Sequence, residues 1–517
     1  MQAGLGLTQM GLLSSFAGRP AFAAPTGKAT KLLTIWVGGG LHWESLLCPF
    51  TSAGIGKYIA KPEGGVLPYG YRAQQVENWD RSPVDLDAPG PARKLRGPIL
   101  WNWDKPGDAS TVIAASGGTQ NHRREGYAFA NPKYKLYERM AVLAGVDQGT
   151  AAHQSGIVAG MCGVAGATFR APAVQAVVAN ALAPKFKDRP IGNVVIGGPA
   201  SVSLDLPAAS SPVTLGSAAG LNPTLSDKRD SSWLGLRKRV NVPNLPFAGG
   251  AATGDDVPAT RVDASLLSAL QKLQGKSAAS ADSQLEQLYE TYKGASRTVA
   301  RNVVDIISAK KGFEYLQAAD PAYPWPWETC VGSADQCGSS GSMGPYAFAL
   351  QLLKSDLVTS VAMNGSSFNN IQFDTHGNSR GGWQQLRVAM ECVGRMMLEM
   401  MHTPGSTAGK TLFDETVVYV FSDFGRTFDT SDHHPTTMAI VGGGSIIGNQ
   451  LIGGFDETIG GTPLGVPVDL VEESGLTTKR VPRSQDVAAT VLNAFGLEPG
   501  KDFFLPGGYG VFKGVVG

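Results

Sequence analysis

Apolar positions along the chain gather into short, nearly continuous runs separated by longer segments in which apolar and polar residues alternate. Lys31 to Val37 is the first such run, rich in apolar and β-branched residues, and it ends in Gly38-Gly39-Gly40. That pattern predicts a buried strand opening into a glycine turn. Met140 to Gly145, Asn193 to Ile196, Val358 to Met363, Thr416 to Phe421 and Thr437 to Val441 read as further strands. Lys133 to Glu138, Ala171 to Leu182, Tyr346 to Lys354, Trp383 to Met401 and Ser484 to Phe495 read as helices. Strands alternating with helices predict an α/β fold, a mostly parallel sheet with helices on both faces. Methionine is a common core filler, so Met390, Met396, Met397, Met400 and Met401 read as packing for the long helix.

Two stretches interrupt this alternation. Residues 50–130 have little periodicity and many Pro, Gly, Asp and Trp, which reads as a loop-rich insertion or a rim over a site. After a Pro/Ser/Gly-rich stretch from about 200 to 260, Ala264 to Gln317 favours helix, a helical insertion at about 260–320. The cluster Lys228, Arg229, Arg237, Lys238 and Arg239 reads as a solvated surface. At the N-terminus, Ala3 to Ala23 is small and apolar and closes on Ala21-Phe22-Ala23 before Ala24-Pro25, the pattern of a signal peptidase site. Residues 1–23 are therefore expected to be a cleaved export signal, with residues 24–517 forming one domain. Only Met1-Gln2 precede the apolar run, which suggests a start further upstream, where a twin-arginine pair would fit. The expected location is the periplasm or the extracellular space.

Composition narrows the partners. The 517 residues carry 44 Lys+Arg against 43 Asp+Glu, a formal net charge of +1, which offers no basic field for nucleic acid. No segment reads as a transmembrane span. With 66 Gly and 32 Pro, many tight turns are expected. Export permits disulfides, and Cys330 and Cys337 share a Gly/Ser-rich loop suited to a local bridge, whereas Cys48, Cys162 and Cys392 lie in apolar runs and read as core thiols. No C-x-x-C pair is present, which disfavours a cysteine zinc site.

Candidate chemistry centres on three fragments, Phe373-Asp374-Thr375-His376, Ser422-Asp423-Phe424-Gly425-Arg426-Thr427 and Asp432-His433-His434-Pro435. Asp423 follows a predicted strand directly, and ligands in open parallel sheets bind beyond the carboxyl ends of strands. Carboxylates and imidazoles meeting there suit a divalent metal. Zinc is the first choice, with manganese, calcium or magnesium as alternatives. Each fragment alone also reads as a turn, a cap or a surface pair.

The runs F-D-T-H-G-N, V-V-Y-V-F-S-D-F-G-R-T, D-H-H-P and I-V-G-G-G-S-I-I-G-N-Q-L-I-G-G resemble the DUF1501 family of exported bacterial proteins. The likeness extends to I-W-V-G-G-G, A-H-Q-S-G-I-V-A-G and S-Q-D-V-A-A-T-V-L-N-A-F-G. That family in turn looks like the alkaline phosphatase and sulfatase superfamily, which implies an alkaline phosphatase-like fold and metals at the strand ends. The resemblance implies Asp423 as the foremost metal ligand, with Asp374, His376 and either His433 or His434 beside it. Phe424 stands where the superfamily carries a second-metal histidine. The first strand lacks the expected Asp, leaving His42 or Glu44 as substitute ligands. Sulfatases and nucleotide pyrophosphatases place their nucleophile ten residues before a glycine, so the resemblance implies Thr150, ten before Gly160, and one insertion would move the choice to His153 or Ser155; Thr150 reads equally as a cap for the following helix. Arg426 is a candidate anion clamp, or else the partner of Asp429 or Asp432 in a buried salt bridge.

The expected activity is metal-dependent hydrolysis of a phosphate or sulfate ester, on an anionic small molecule or glycan. The alternative is a non-catalytic binding or envelope-assembly protein on a degenerate hydrolase scaffold, with an envelope protein as partner.

Overall fold

A computed structural model of the chain describes residues 29–41, 136–164, 172–186, 189, 191–197, 213–215, 313–315, 344–356, 358–365, 374, 376, 379–427, 432–459, 462–503, 505 and 508–517. Among the described residues, eight strands form the central sheet: β1 (Lys31–Val37), β2 (Met140–Asp147), β3 (Ile191–Ile196), β4 (Val213–Leu215), β5 (Val358–Asn364), β6 (Thr416–Ser422), β9 (Thr436–Gly442) and β10 (Gln450–Gly453). Their order is β10-β2-β9-β6-β1-β5-β3-β4. Two short strands, β7 (Gly425–Arg426) and β8 (His433–His434), pair as a hairpin between β6 and β9. Small antiparallel units follow, β11 (Phe455–Ile459) with β12 (Thr462–Gly465), and β13 (Val468–Glu472) between β14 (Thr477–Arg480) and β15 (Gly510–Phe512).

The α/β class expected from the alternation is present, with one departure. β9 runs antiparallel to both its neighbours, β2 and β6, whereas the other pairings in the central sheet are parallel. The connection from β6 to β9 carries the β7–β8 hairpin and no described helix, so the chain turns back on itself without the helical crossover that a parallel strand needs.

Among the described residues, six helices accompany the sheet: α1 (His153–Cys162), α2 (Val174–Leu182), α3 (Gly344–Lys354), α4 (Ser379–His402), α5 (Leu412–Glu415) and α6 (Ser484–Asn493). Side chains of a strand alternate between faces, so an all-buried strand needs cover on both. Leu32 and Trp36 of β1 enter one core cluster with Met161 of α1, Val178 of α2 and Val491 of α6. Leu33, Ile35 and Val37 are as fully buried on the other side, where Tyr346 of α3 donates to Gly365 O and lies near Ile35 and Val37. Each such aliphatic side chain contributes about 1.5–3 kcal/mol on burial. Met390, Met396, Met397 and Met400 are buried along α4 and pack as expected. Cys162 and Cys392 are buried thiols.

At the amino end of β1 a charged network closes the sheet. Lys31, 1% exposed, pairs with Asp356 at 2.9 Å, and Asp356 also takes Arg189 Nε at 2.9 Å. The Glu415 carboxylate accepts the amides of Ser406 (2.8 Å) and Thr407 (2.6 Å) and lies 3.9 Å from Lys31 Nζ. The site therefore has to be sought at the opposite, carboxyl edge.

The expected export signal at 1–23, the insertion at 50–130, Cys48 and the Cys330–Cys337 pair lie outside the described residues, as does the 260–320 insertion apart from 313–315. Among the described residues, no helix is long and apolar enough to cross a membrane.

Candidate metal centre

Parallel pairing sets β1 and β6 in register with Val37 opposite Ser422, so the glycine turn and Asp423 leave the sheet side by side. Asp423 is fully buried. Its Oδ1 accepts Gly40 N (2.6 Å) and Gly39 N (3.0 Å), its Oδ2 also faces Gly39 N (3.0 Å), and Ser422 Oγ lies 3.0 Å from Oδ1. Glycine is required in the turn: Gly40 has φ +76°, and a Cβ there would fall 2.3 Å from the Phe424 ring.

Helix α1 brings the first imidazole. Gly156 and Gly160 lie one turn apart, and a Cβ would meet Asp423 O at 1.9 Å from the first and the Phe421 ring at 2.0 Å from the second. The bare glycine face lets α1 lie directly on the end of β6, with Tyr419 Oη donating to Gly160 O at 2.8 Å. His153, the first residue of α1, is on the same face as Gly156 by the i, i+3 spacing. Its Nδ1 lies 2.5 Å from Asp423 Oδ2 and its Nε2 3.5 Å from Asp374 Oδ2. The hydrogen bond to Asp423 raises the His153 pKa. Burial opposes that rise, the charges of Asp423 and Asp374 add to it, and Arg426 opposes it.

The β7–β8 hairpin brings the second. His433 and His434 are consecutive on β8, so they point to opposite sides. His433 Nδ1 lies 2.9 Å from Ala151 O; a carbonyl only accepts, so Nδ1 carries the proton and Nε2 is left facing Asp374 Oδ1 at 3.4 Å. His434 turns inward, where its Nδ1 accepts Thr436 N at 3.1 Å; burial lowers its pKa despite that contact and the Asp147 charge. His433, rather than His434, is thus the histidine at the site.

Asp374 stands at the mouth, half exposed, and takes Arg426 Nη2 at 2.6 Å. Burial pushes its carboxyl up, but the hydrogen bond from Arg426, the contact with the His433 ring and the charges of Arg426 and His153 outweigh this and hold it below the usual value. His153, Asp374 and His433 form a group whose ligand atoms all lie within 4.8 Å of one another. Two imidazoles and a carboxylate, with both Nδ1 atoms already engaged, fit a divalent cation at the Nε2 atoms and the Asp374 oxygen.

The remaining predicted residues divide. His376 lies at the exposed edge, its Nε2 3.1 Å from Asp374 Oδ1 and its Nδ1 3.4 Å from Asp432 Oδ1. Asp423, expected as the foremost ligand, stands behind His153 with its oxygens taken by the glycine turn. Arg426 is 1% exposed, and among the described residues its guanidinium meets Gly39 O, Gly40 O and Asp374, the contacts of an internal strut; Asp429, one of its expected acidic partners, lies outside the described residues. Thr150 lies in the turn before α1, where its Oγ1 accepts Ala152 N at 3.2 Å; Ala152, not Thr150, is the N-cap, and it makes no side-chain capping bond. Ser155 falls within α1. His42 and Glu44 lie outside the described residues. Phe424, in place of a second-metal histidine, is fully buried and packs its ring against His153 (centroids 4.6 Å) and His433 (4.2 Å). It forms an apolar wall against which both imidazoles pack.

A family model described as "Protein of unknown function (DUF1501)" matches residues 102–508. No curated protein matches the chain. Among solved structures, one titled "Crystal structure of Ps i-CgsB in complex with k-i-k-neocarrahexaose" aligns at 8% identity with a TM-score of 0.27, covering 70% of this chain and 65% of that one. The chain therefore spans about two thirds of that structure's length.

Proposed function

We propose that this chain, which belongs to the DUF1501 family, is an exported metal-dependent hydrolase of a phosphate or sulfate ester on an alkaline phosphatase-like scaffold. The observation that carries the reading is the convergence of His153 Nε2, His433 Nε2 and Asp374 beyond the carboxyl ends of β1 and β6. Zinc is the metal assigned, because two imidazoles beside a single carboxylate suit it better than calcium or magnesium, which favour oxygen ligands. When bound, the cation would polarise the ester oxyanion and stabilise the charge that develops on it. The chain's own residues supply the rest. Asp374 and the two imidazoles hold the site open on its exposed side, where a small anionic or glycan ester has access. Phe424 excludes water from beneath the rings. Thr150, three residues before His153, is the candidate nucleophile, with water the other. Export to the periplasm or beyond rests on the Ala3 to Ala23 segment and its Ala21-Phe22-Ala23 ending.

Metal content of the mature protein, purified without chelators or a histidine tag, tests this directly beside an Asp374→Ala, His433→Ala double variant. One equivalent of zinc, absent from the variant, together with turnover of an aryl phosphate or aryl sulfate that disappears with it, is expected. No metal above background and no turnover across both ester classes would end the proposal.

A further inference from the structure

The structure points to a role for Asp423 that differs from that of a metal ligand. Every described partner of its carboxylate is a donor or can be one. Gly39 N and Gly40 N are backbone amides with no other option, and Ser422 Oγ has a single proton to share between Val37 O (2.8 Å) and Asp423 Oδ1 (3.0 Å). A carboxylate only accepts, so the 2.5 Å contact at Oδ2 makes His153 Nδ1 the donor. In the neutral ring the single proton then sits on Nδ1, at the shorter of the two carboxylate contacts, and the lone pair on Nε2, the atom that faces Asp374 at 3.5 Å.

We infer that Asp423 is a positioning residue that locks the His153 ring in the Nδ1–H tautomer, presenting Nε2 as a ligand, and that it ties this ring rigidly to the glycine turn after β1. The inference rests on the metal reading above for its consequence, but the tautomer itself is independent of any metal. Asp423 is fully buried among fixed donors, which is why its orientation is set by the fold. His433 reaches the same state by another route, through the Ala151 carbonyl. Two unrelated acceptors thus prepare two imidazoles for one site, and an outer acceptor of this kind is what orients a metal-binding histidine.

Asp423→Asn separates the roles. One oxygen suffices for both glycine amides, since Oδ1 alone already lies within bonding distance of Gly39 N and Gly40 N. The amide nitrogen would then face His153 Nδ1 and donate to it, moving the ring proton to Nε2 and blocking the ligand position. The same inversion of tautomer is known to cripple an Asp–His pair while leaving its geometry intact.

The test is nitrogen NMR of ¹⁵N-histidine-labelled, metal-free protein at pH 9, with the His153 signals assigned by their loss in His153→Gln, and cobalt(II) titration of the same samples. In the wild type, Nδ1 should carry the proton and Nε2 should show the shift of an unprotonated ring nitrogen. Asp423→Asn should reverse the two and weaken cobalt binding about 10- to 100-fold. A wild-type ring protonated at Nε2 overturns the inference, and needs no variant to fold. Reversal in the variant with unchanged cobalt affinity overturns the claim that the lock serves a ligand. Nδ1–H in the wild type, reversed in the variant, with cobalt bound by neither protein, supports the lock and removes the metal reading alone.

Discussion

Replacing Gly156 by alanine tests whether the contact between α1 and the end of β6 sets the site. A Cβ at Gly156 would lie 1.9 Å from Asp423 O, and real Cβ contacts stay above 3.0 Å, so helix and strand end must part by at least 3.0 − 1.9 = 1.1 Å. The obstacle is backbone, with no rotamer to yield. Alanine gains about 0.8–1 kcal/mol of helix propensity over glycine, and overpacking costs about 1–3 kcal/mol. The net loss of stability is therefore about 0–2 kcal/mol, and the protein stays folded. His153 is carried by the same turn, so the Nε2 atom moves with it, and displacement of about 1 Å is enough to cost on the order of 100-fold in a function that depends on placement. The assay is cobalt(II) affinity beside a urea melt. Gly160→Ala is the comparison, because its Cβ would strike the Phe421 ring at 2.0 Å, a side chain that can shift without dragging Asp423. Gly156→Ala should lose metal affinity out of proportion to stability, and Gly160→Ala should lose stability with at most a several-fold change in affinity. Wild-type cobalt affinity in Gly156→Ala would refute the reasoning.

Two further outcomes follow from the charges. Burial pushes the Glu415 carboxyl up, but the Thr407 hydroxyl, the amides of Ser406 and Thr407 and the Lys31 charge outweigh it and hold it below the usual glutamate value. The unfolded chain therefore takes up this proton at a higher pH than the folded one. Its stabilising contribution is complete above about pH 4.3 and is lost as pH falls through the folded value. Glu415→Gln should cost about 2–3 kcal/mol at pH 7 in urea melts, with the deficit narrowing toward pH 3; a constant deficit would contradict the assignment. At the candidate metal centre, Asp374 and Asp423 against Arg426 leave a formal charge of −1 with neutral imidazoles, which a divalent cation would convert to +1. Orthovanadate, a phosphate mimic, should bind the zinc-loaded protein at pH 8 and not the apo form by calorimetry; equal binding by both would place anion recognition elsewhere.

Six of the eight sheet strands were legible because they are apolar runs set inside the sheet; the two edge strands, β4 and β10, were not. An apolar run such as Leu32 to Val37 has to be a core strand, whatever its partners, and the predicted ends lie within about two residues of the observed ones. The direction of β9 was not legible, since apolar periodicity reports burial and not polarity of the strand. The absence of a helical signal between Ser422 and Thr436 was the clue available, and it identifies an antiparallel return. The small units from β11 to β15 escaped because half-exposed strands such as Thr477–Arg480 carry almost no apolar signal.

At the site, Asp374 and His433 were readable as ligand types near a strand edge, while the roles of Asp423 and His153 were not. Sequence places Asp423 at the end of β6, where a ligand or a structural carboxylate would stand equally well. What decides between them is the positions of Gly39 N, Gly40 N and His153 Nδ1, contributed by residues 384, 383 and 270 positions away. Three-dimensional proximity of that kind leaves no local pattern. The glycines did leave one: the A-H-Q-S-G-I-V-A-G segment spaces Gly156 and Gly160 one helical turn apart, which marks a helix face made for close backbone approach. A histidine three residues before the first of those glycines is delivered wherever that face docks. The spacing therefore makes His153 a site residue by way of packing, and the F-G-R-T segment supports it from the other side: Phe424 walls the ring, Gly425 permits contact with Thr436 O, and Arg426 fixes both the glycine turn and Asp374. The motif is thus the frame on which the proposed ligands hang, and substitutions within it should act on metal affinity through the placement of His153, Asp374 and His433.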